Sequence, residues 1–173
     1  MALQDRAAFA GQVHGDIFLS IHHDSAQAIY LERSEYDGKP AYKTREPLSG
    51  YSVFISMTNP LHDRSRKLAQ LIGESLFELG RPPSYHHAEK IPGEGREPLD
   101  ASLGIYRFDD LVVLKKATIP AVLIELGVIV DEADEHYVSN AGNQRKMQEA
   151  ITSALKHYFL DAVRLTIPAE SPG

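Results

Sequence analysis

Hydrophobic positions along the chain fall into two kinds of segment, short continuous runs and stripes with helical spacing. Nearly continuous apolar runs, typical of strands buried on both faces of a sheet, occupy residues 16–21, 51–57 and 121–126. Apolar stripes that predict amphipathic helices occupy residues 2–13, 61–79 and 143–161. Because strands and helices alternate, we predict an α/β domain with a mostly parallel sheet and helices on both faces.

The segments between these runs carry weaker signals. Residues 28–32 are compatible with another short strand, and residues 131–138 with a short helix. Residues 33–50 are polar and contain prolines and glycines, so we interpret them as a loop. Residues 81–103 are a second long loop, of the kind that often serves as a lid or a binding segment. The apolar run 111–114 fits a helix and a strand equally well.

Length and composition favour one domain, which we place at residues 1–165, followed by a flexible tail at 166–173. The net charge of −6 and the pI of about 5.7 argue against nucleic acid as a partner, because phosphate binding needs clustered Lys and Arg. The longest apolar run, 119–130, is too short to span a bilayer. The chain has no cysteine, so any metal would be held by His, Asp or Glu.

Glu125 is the sharpest chemical signal, since it interrupts the apolar run 119–130 near the end of a predicted strand. A buried carboxylate is costly unless it is paired, bound to a metal or protonated. Burial would raise its pKa towards neutrality, as a general base or acid requires. The alternative is a strand-end glutamate that reaches solvent or pairs with a lysine, and the pattern alone favours neither.

The histidines after the first strand give a weaker signal. His22 follows the run 16–21, and ligands of open α/β sheets bind beyond the carboxyl ends of strands, so we expect His22 and Glu125 to converge. Taken alone, such a histidine is more often structural than a metal ligand. His23 alternates to the other face of the sheet. Asp24 is placed to orient a histidine by accepting its free N–H.

His86 and His87 are adjacent in the loop 81–103. A mobile loop rarely supplies rigid metal ligands, so we interpret both as solvent-facing. Contact with substrate is the alternative.

Four segments together resemble the zinc-dependent N-acetylmuramoyl-L-alanine amidases of the amidase 3 type, which cleave peptidoglycan. Residues 3–10 resemble the helix before the family's central strand, and residues 16–24 contain its Ser-Ile-His motif. Residues 65–69 resemble the start of its long helix, and residues 113–127 resemble its catalytic strand. The segments occur in the family's order and span nearly the whole chain, so the set is specific.

This resemblance implies a phosphorylase/hydrolase-like fold and a role for two residues. His22 would be a zinc ligand, and Glu125 would be the catalytic residue that activates the zinc-bound water. The reaction would be hydrolysis of the amide between the lactyl group of N-acetylmuramic acid and L-alanine. A peptidoglycan or muropeptide substrate implies a periplasmic, extracellular or cell-wall location, although residue 1 opens into a helical pattern without a signal peptide.

The sequence departs from the family at the metal site. The Asp-Pro-Gly-His-Gly type segment, with the first zinc histidine, and the zinc-binding glutamate have no counterpart. We therefore expect the N-terminal strands to be missing and zinc binding to be weak or absent. The exposed sheet edge that would remain predicts marginal stability or a homodimer. Three interpretations stay open: part of an active amidase, an inactive remnant or peptidoglycan-binding module, and an unrelated α/β hydrolase or binding domain.

Overall fold

The computed structural model describes residues 2–166, and the side chains of residues 2–161. Residues 167–173 of the predicted tail lie outside the described residues. The α-helices are α1 (Leu3–Gln12), α2 (His62–Glu78), α3 (Val112–Lys116), α4 (Glu132–Ser139) and α5 (Ala141–Thr166). The strands are β1 (Phe18–Asp24), β2 (Leu31–Tyr36), β3 (Lys39–Thr44), β4 (Ser52–Ile55), β5 (Pro98–Asp100), β6 (Ile105–Arg107) and β7 (Ala121–Val128). Short 3₁₀ turns lie at Ala28–Tyr30, His86–Ala88 and Ala101–Leu103.

Five of the strands form one mixed sheet in the order β1-β7-β4-β6-β5. β1 is parallel to β7 and β4 is parallel to β6, whereas β4 with β7 and β5 with β6 are antiparallel. The predicted α/β fold is confirmed. Because β1 and β7 are parallel neighbours, their carboxyl ends meet at the same edge of the sheet.

Helices cover both faces of this sheet, as predicted. On one face α2 and α5 pack together over a core that includes Val53, Ile55, Leu68, Ile124 and Ile151. On the other face α3 packs over a second core that includes Phe54, Tyr106, Leu114 and Leu123, and α1 packs against α3. Seven of the eight residues of β7 are buried, and the exception is the half-buried Glu125. The continuous apolar run of β7 is therefore explained by cores on both of its sides.

The prediction of a loop over residues 33–50 is wrong, because β2 and β3 pair there as an antiparallel hairpin. The turn is Asp37-Gly38, whose φ angles of 51° and 70° suit the type I′ turns that match the twist of a hairpin. Most residues of the two strands are exposed, so no apolar alternation marked them in the sequence. The Asp37-Gly38 pair was the sequence signal that could have predicted the hairpin.

Two ambiguous segments are also resolved by the structure. The run 111–114 enters a helix, α3, which packs on β7. The predicted strand 28–32 is a 3₁₀ turn followed by the start of β2. The backbone turns at residues 28–30 and begins to pair with β3 only at Leu31. Across the described residues, no helix combines the length and the apolar character needed to cross a membrane.

A buried ion pair fixes the carboxyl end of β7. Arg81 Nη1 lies 2.6 Å from Asp134 Oδ1, and Arg81 Nη2 donates to Asp134 Oδ2 at 2.8 Å. Arg81 also donates to the backbone oxygen of Leu126, while the Val128 N–H donates to Asp134 at 2.7 Å. A Cβ at Gly127 would lie 2.9 Å from both partners, so glycine is required where the pair crosses the strand.

Candidate functional site

Glu125 and His22 lie side by side in the carboxyl-terminal halves of two parallel strands. His22 of β1 is in register with Glu125 of β7, and in-register neighbours project from the same face of a sheet. Ser52 of β4 is in register with Glu125 from the other side. His22 is exposed, whereas Glu125 is half-buried and Ser52 is buried. The two residues named from the sequence therefore share one face of the sheet.

The carboxyl group of Glu125 is held in an environment that favours its neutral form. Its Oε2 atom is buried and has no hydrogen-bond partner within the described part of the chain. Burial, together with the negative charge of Asp24, raises the pKa of Glu125 from 4.5 to about 7, although the charge of His87 opposes part of this rise. A carboxyl group that titrates near neutrality is suited to take up and release a proton in catalysis.

Asp24, His86 and His87 form a compact cluster on this side of the molecule. Asp24 Oδ2 lies 3.0 Å from His86 Nε2 and 3.0 Å from His87 Nε2. The three atoms are buried, and none of them has a partner in hydrogen-bond geometry among the described residues. Within residues 2–161, this is the group of His, Asp and Glu side chains whose ligand atoms lie close enough to hold one metal ion.

The outer nitrogen of each imidazole has its own partner. His86 Nδ1 lies 2.8 Å from the Ser84 hydroxyl, and His87 Nδ1 lies 2.9 Å from Glu94 Oε2. Gln27 donates to the other carboxylate oxygen of Glu94 at 3.3 Å. These contacts fix the orientation of both rings and direct their Nε2 atoms towards Asp24.

The charges of the cluster shift the pKa values of its members. Burial raises the pKa of Asp24, but His86 and His87 outweigh it and lower the pKa to about 2. Burial lowers the pKa of His87, but the carboxylates of Asp24 and Glu94 outweigh it and raise the pKa. Burial likewise raises the pKa of Glu94, and His87 reverses this shift. The anionic forms of Asp24 and Glu94 and the charged form of His87 therefore stabilise one another.

The interpretation of His86 and His87 as solvent-facing is wrong, since their exposed fractions are 2% and 5%. Their loop is ordered because it pairs with the start of β4: Tyr51 N–H donates to Pro82 O, and Ser84 N–H donates to Tyr51 O. Aromatic rings of the sheet then enclose the histidines. Those within 6.0 Å are Phe54 and Tyr106 for His87, and Tyr30 for His86.

Asp24 and His23 behave as the sequence suggested in part. Asp24 does contact histidines, although they come from the distant loop and not from its own strand. His23 is exposed and has no place in the cluster. No local pattern marks the meeting of Asp24 with His86 and His87, because the residues are more than sixty positions apart in the chain.

The raised pKa of Glu125 predicts a pH-dependent effect on stability. The folded protein binds the Glu125 proton more tightly than the unfolded chain, so the stability of the wild type falls as pH rises from 4.5 to about 7. Glutamine lacks this ionisation. We expect Glu125→Gln to gain about 1–3 kcal/mol of unfolding free energy, relative to wild type, between pH 5 and pH 8. Urea denaturation of both proteins at each pH measures the difference, and a pH-independent difference would contradict it.

Together, the α/β sheet, the half-buried carboxyl group of Glu125 and the adjacent metal-type cluster define a candidate active site. The family model described as N-acetylmuramoyl-L-alanine amidase matches residues 1–157. The chain belongs to this family.

Curated relatives and solved structures agree with this assignment. The "Probable cell wall amidase LytH" of Staphylococcus aureus is 26% identical over 147 residues, covering 85% of this chain and 36% of that protein. The chain thus spans about a third of the length of the curated relatives that it matches.

Solved structures share the fold. The N-acetylmuramyl-L-alanine amidase Ami1 from Mycobacterium smegmatis matches with a TM-score of 0.65 and 21% identity, over 91% of this chain and 60% of that one. The N-acetylmuramoyl-L-alanine amidase from Clostridium difficile 630 matches with a TM-score of 0.65 and 20% identity, over 92% of this chain and 66% of that one.

Proposed function

We propose that this domain hydrolyses the amide bond between N-acetylmuramic acid and L-alanine in peptidoglycan, with Glu125 as its general base. The observation that carries the proposal is the position of Glu125. Its carboxyl group lies in the carboxyl-terminal half of β7, beside His22, with one buried oxygen that has no hydrogen-bond partner among the described residues. Family membership supplies the substrate class.

Glu125 would act in both halves of the reaction. Its carboxylate takes a proton from a water molecule as the water oxygen attacks the lactyl carbonyl carbon. The same carboxyl group then passes that proton to the nitrogen of L-alanine as the C–N bond breaks. The products are a lactyl carboxylate and a peptide with a free amino terminus. Because Glu125 has a pKa of about 7, its two forms interconvert at neutral pH with little cost.

We propose zinc as the cofactor and His22 as one of its ligands. Zinc supplies Lewis-acid polarisation of the carbonyl and of water when it is bound. The shared face of His22 and Glu125 supports this placement. The single imidazole of His22 does not complete a zinc site, since catalytic zinc has three protein ligands, and the cluster that meets the spacing for a metal within residues 2–161 excludes His22.

Peptidoglycan lies outside the cytoplasmic membrane, so we propose a periplasmic, extracellular or cell-wall location. A homodimer through the outer edge of β1 also stays a prediction. It is supported by the position of β1 at the end of the sheet and by Ile21, which is 51% exposed there.

The alternative function is peptidoglycan binding without hydrolysis. It is favoured by the exposure of His22, which belongs to no group of three His, Asp or Glu side chains with metal spacing in the described residues. Such a module would bind cell-wall fragments through the same face and release no product.

Incubation with purified peptidoglycan and zinc distinguishes these functions. We expect new L-alanine amino termini, detected by amine labelling and identified by mass spectrometry, without new reducing sugar ends. Fragments that bind but are not cleaved would support the binding module. New reducing ends would contradict both functions, since they indicate cleavage between sugars.

A further inference from the structure

We propose that Asp24, His86 and His87 form a zinc site of their own, with Asp24 Oδ2 and the two Nε2 atoms as ligands. This site does not include His22, and it goes beyond the proposed hydrolysis. It is built by β1 and by the turn His86–Ala88, both of which belong to the described chain.

The spacing of the three ligand atoms fits zinc. Ligands that lie 2.0–2.2 Å from a tetrahedral zinc ion are separated from one another by about 3.3 Å. The carboxylate oxygen lies 3.0 Å from each Nε2 atom, and all three atoms lie within 4.8 Å of one another. The two contacts are at ion-pair distance but outside hydrogen-bond geometry, so neither holds the three atoms in an optimal pair.

The neighbouring residues contact the Nδ1 atom of each histidine and leave its Nε2 atom available to a metal ion. Glu94 Oε2 lies 2.9 Å from His87 Nδ1, and the Ser84 hydroxyl lies 2.8 Å from His86 Nδ1, so a proton on each Nδ1 has its own acceptor and a metal ion can replace any proton on Nε2. Metal-bound histidines are oriented in this way by a partner on the other ring nitrogen. Asp24 is arranged likewise, since its Oδ1 accepts from the Ser25 N–H while Oδ2 is unpartnered in the described chain.

Without a cation, this arrangement places two nitrogen lone pairs and a carboxylate against one another. Protons on the imidazoles are one remedy, and a divalent ion is the other. Two imidazoles with one carboxylate and no thiolate favour zinc and other first-row metals over Mg²⁺ or Ca²⁺. The side chain of Asp24 is 19% exposed, against 1% and 6% for the histidines, so the site opens on the Asp24 side.

The site lies on the same face of the sheet as Glu125. Phe54 contacts the ring of His87 at 4.9 Å between centroids. Phe54 is two residues after Ser52, the in-register neighbour of Glu125, and alternate residues of a strand share a face. Asp24 is in register with Val128, at the end of the same strand. A zinc ion held here would therefore be a neighbour of the catalytic carboxylate.

Zinc binding to metal-free protein tests the proposal without an activity assay. The sequence predicts weak or absent zinc binding, but this cluster leads us to expect that the wild type takes up one tightly bound equivalent, measured by calorimetry and by competition with a chromogenic chelator. His86→Gln and His87→Gln should each lower that affinity at least about 100-fold. Glu94→Gln, which leaves the three ligands in place, should lower it about 10- to 100-fold.

His23 provides the matched control, and His23→Ala is expected to keep the equivalent that His87→Gln removes. His22→Ala tests whether the metal lies instead beside Glu125, and it too is expected to keep that equivalent. Circular dichroism checks the fold of each variant, and zinc should raise the melting temperature of the wild type and of His23→Ala. If a ligand variant fails to fold, the loss of zinc affinity in Glu94→Gln still tests the proposal.

The possible outcomes separate this site from the proposed function. Folded wild-type protein that binds no stoichiometric zinc would overturn the proposal and leave a cluster held by ion pairs alone. Zinc that is lost in His22→Ala and kept in His87→Gln would also overturn it, and would place the metal where the proposed hydrolysis needs it. Hydrolysis is judged separately, by the new amino termini that it releases.

Discussion

Replacing Glu125 by glutamine is expected to lower the rate of peptidoglycan amide hydrolysis by about 10²- to 10⁴-fold. Glutamine keeps the shape of the side chain but cannot accept a proton from water. The carboxyl group lies beside His22 on the face where substrate would bind, and its Oε2 has no hydrogen-bond partner among the described residues. Steady-state release of L-alanine amino termini from purified peptidoglycan, for wild type and Glu125→Gln, measures the loss.

Two controls separate lost chemistry from lost structure. Glu132→Gln changes an exposed glutamate at the start of α4, four residues after β7 ends, and is expected to keep wild-type activity. Glu125→Gln itself should be at least as stable as wild type at pH 8, since it removes a carboxylate whose ionisation is opposed by burial. Retention of more than about a tenth of the wild-type rate would sink the assignment of Glu125 as the base.

Strand β7 was predictable because its signal is local. A run of buried apolar residues with a single acidic interruption marks both β7 and Glu125, and no knowledge of other segments is needed to see it. The relation to His22 followed from a rule about sheets, that parallel neighbours end together, and the register between the two residues agrees with it. Local pattern and topology therefore sufficed for this pair.

The histidine cluster was not predictable in the same way. His86 and His87 lie in a segment rich in proline and glycine, which reads locally as a mobile loop. Its order comes from contacts that no local pattern contains: the pairing of Pro82 and Ser84 with Tyr51, and the hydrogen bond from the Tyr106 hydroxyl to the Ser84 oxygen. The burial of these histidines depends on tertiary contacts, whereas the burial of β7 is indicated by its own apolar sequence.

The buried ion pair of Arg81 and Asp134, which holds the strand next to Glu125, was likewise not predictable from a local pattern. Arg81 was part of the predicted loop, and Asp134 was one of several acidic residues in a predicted short helix. In the fold their side chains are only 4% and 1% exposed, and they meet across the end of β7. The pair holds the backbone of Leu126, the residue that follows Glu125.

Replacing Asp134 by asparagine is therefore expected to lower the free energy of unfolding by about 3–5 kcal/mol. The change keeps the side-chain shape but leaves the Arg81 guanidinium buried without its counter-charge. It also weakens the acceptor for the N–H groups of Val128 and Gly50, which lie 2.7 and 3.3 Å from Asp134 Oδ2. Urea denaturation followed by circular dichroism at pH 7 measures the loss.

An exposed ion pair provides the matched control. Glu32 and Lys43 lie 3.5 Å apart across the β2–β3 hairpin, with side chains 47% and 51% exposed. Glu32→Gln should cost at most about 1 kcal/mol, because solvent screens the charges. Adding Arg81→Met to Asp134→Asn should recover part of the larger loss, since the unpaired charge is then removed. If Asp134→Asn costs no more than Glu32→Gln, the buried pair does not anchor the end of β7, and the position of Glu125 must depend on the sheet alone.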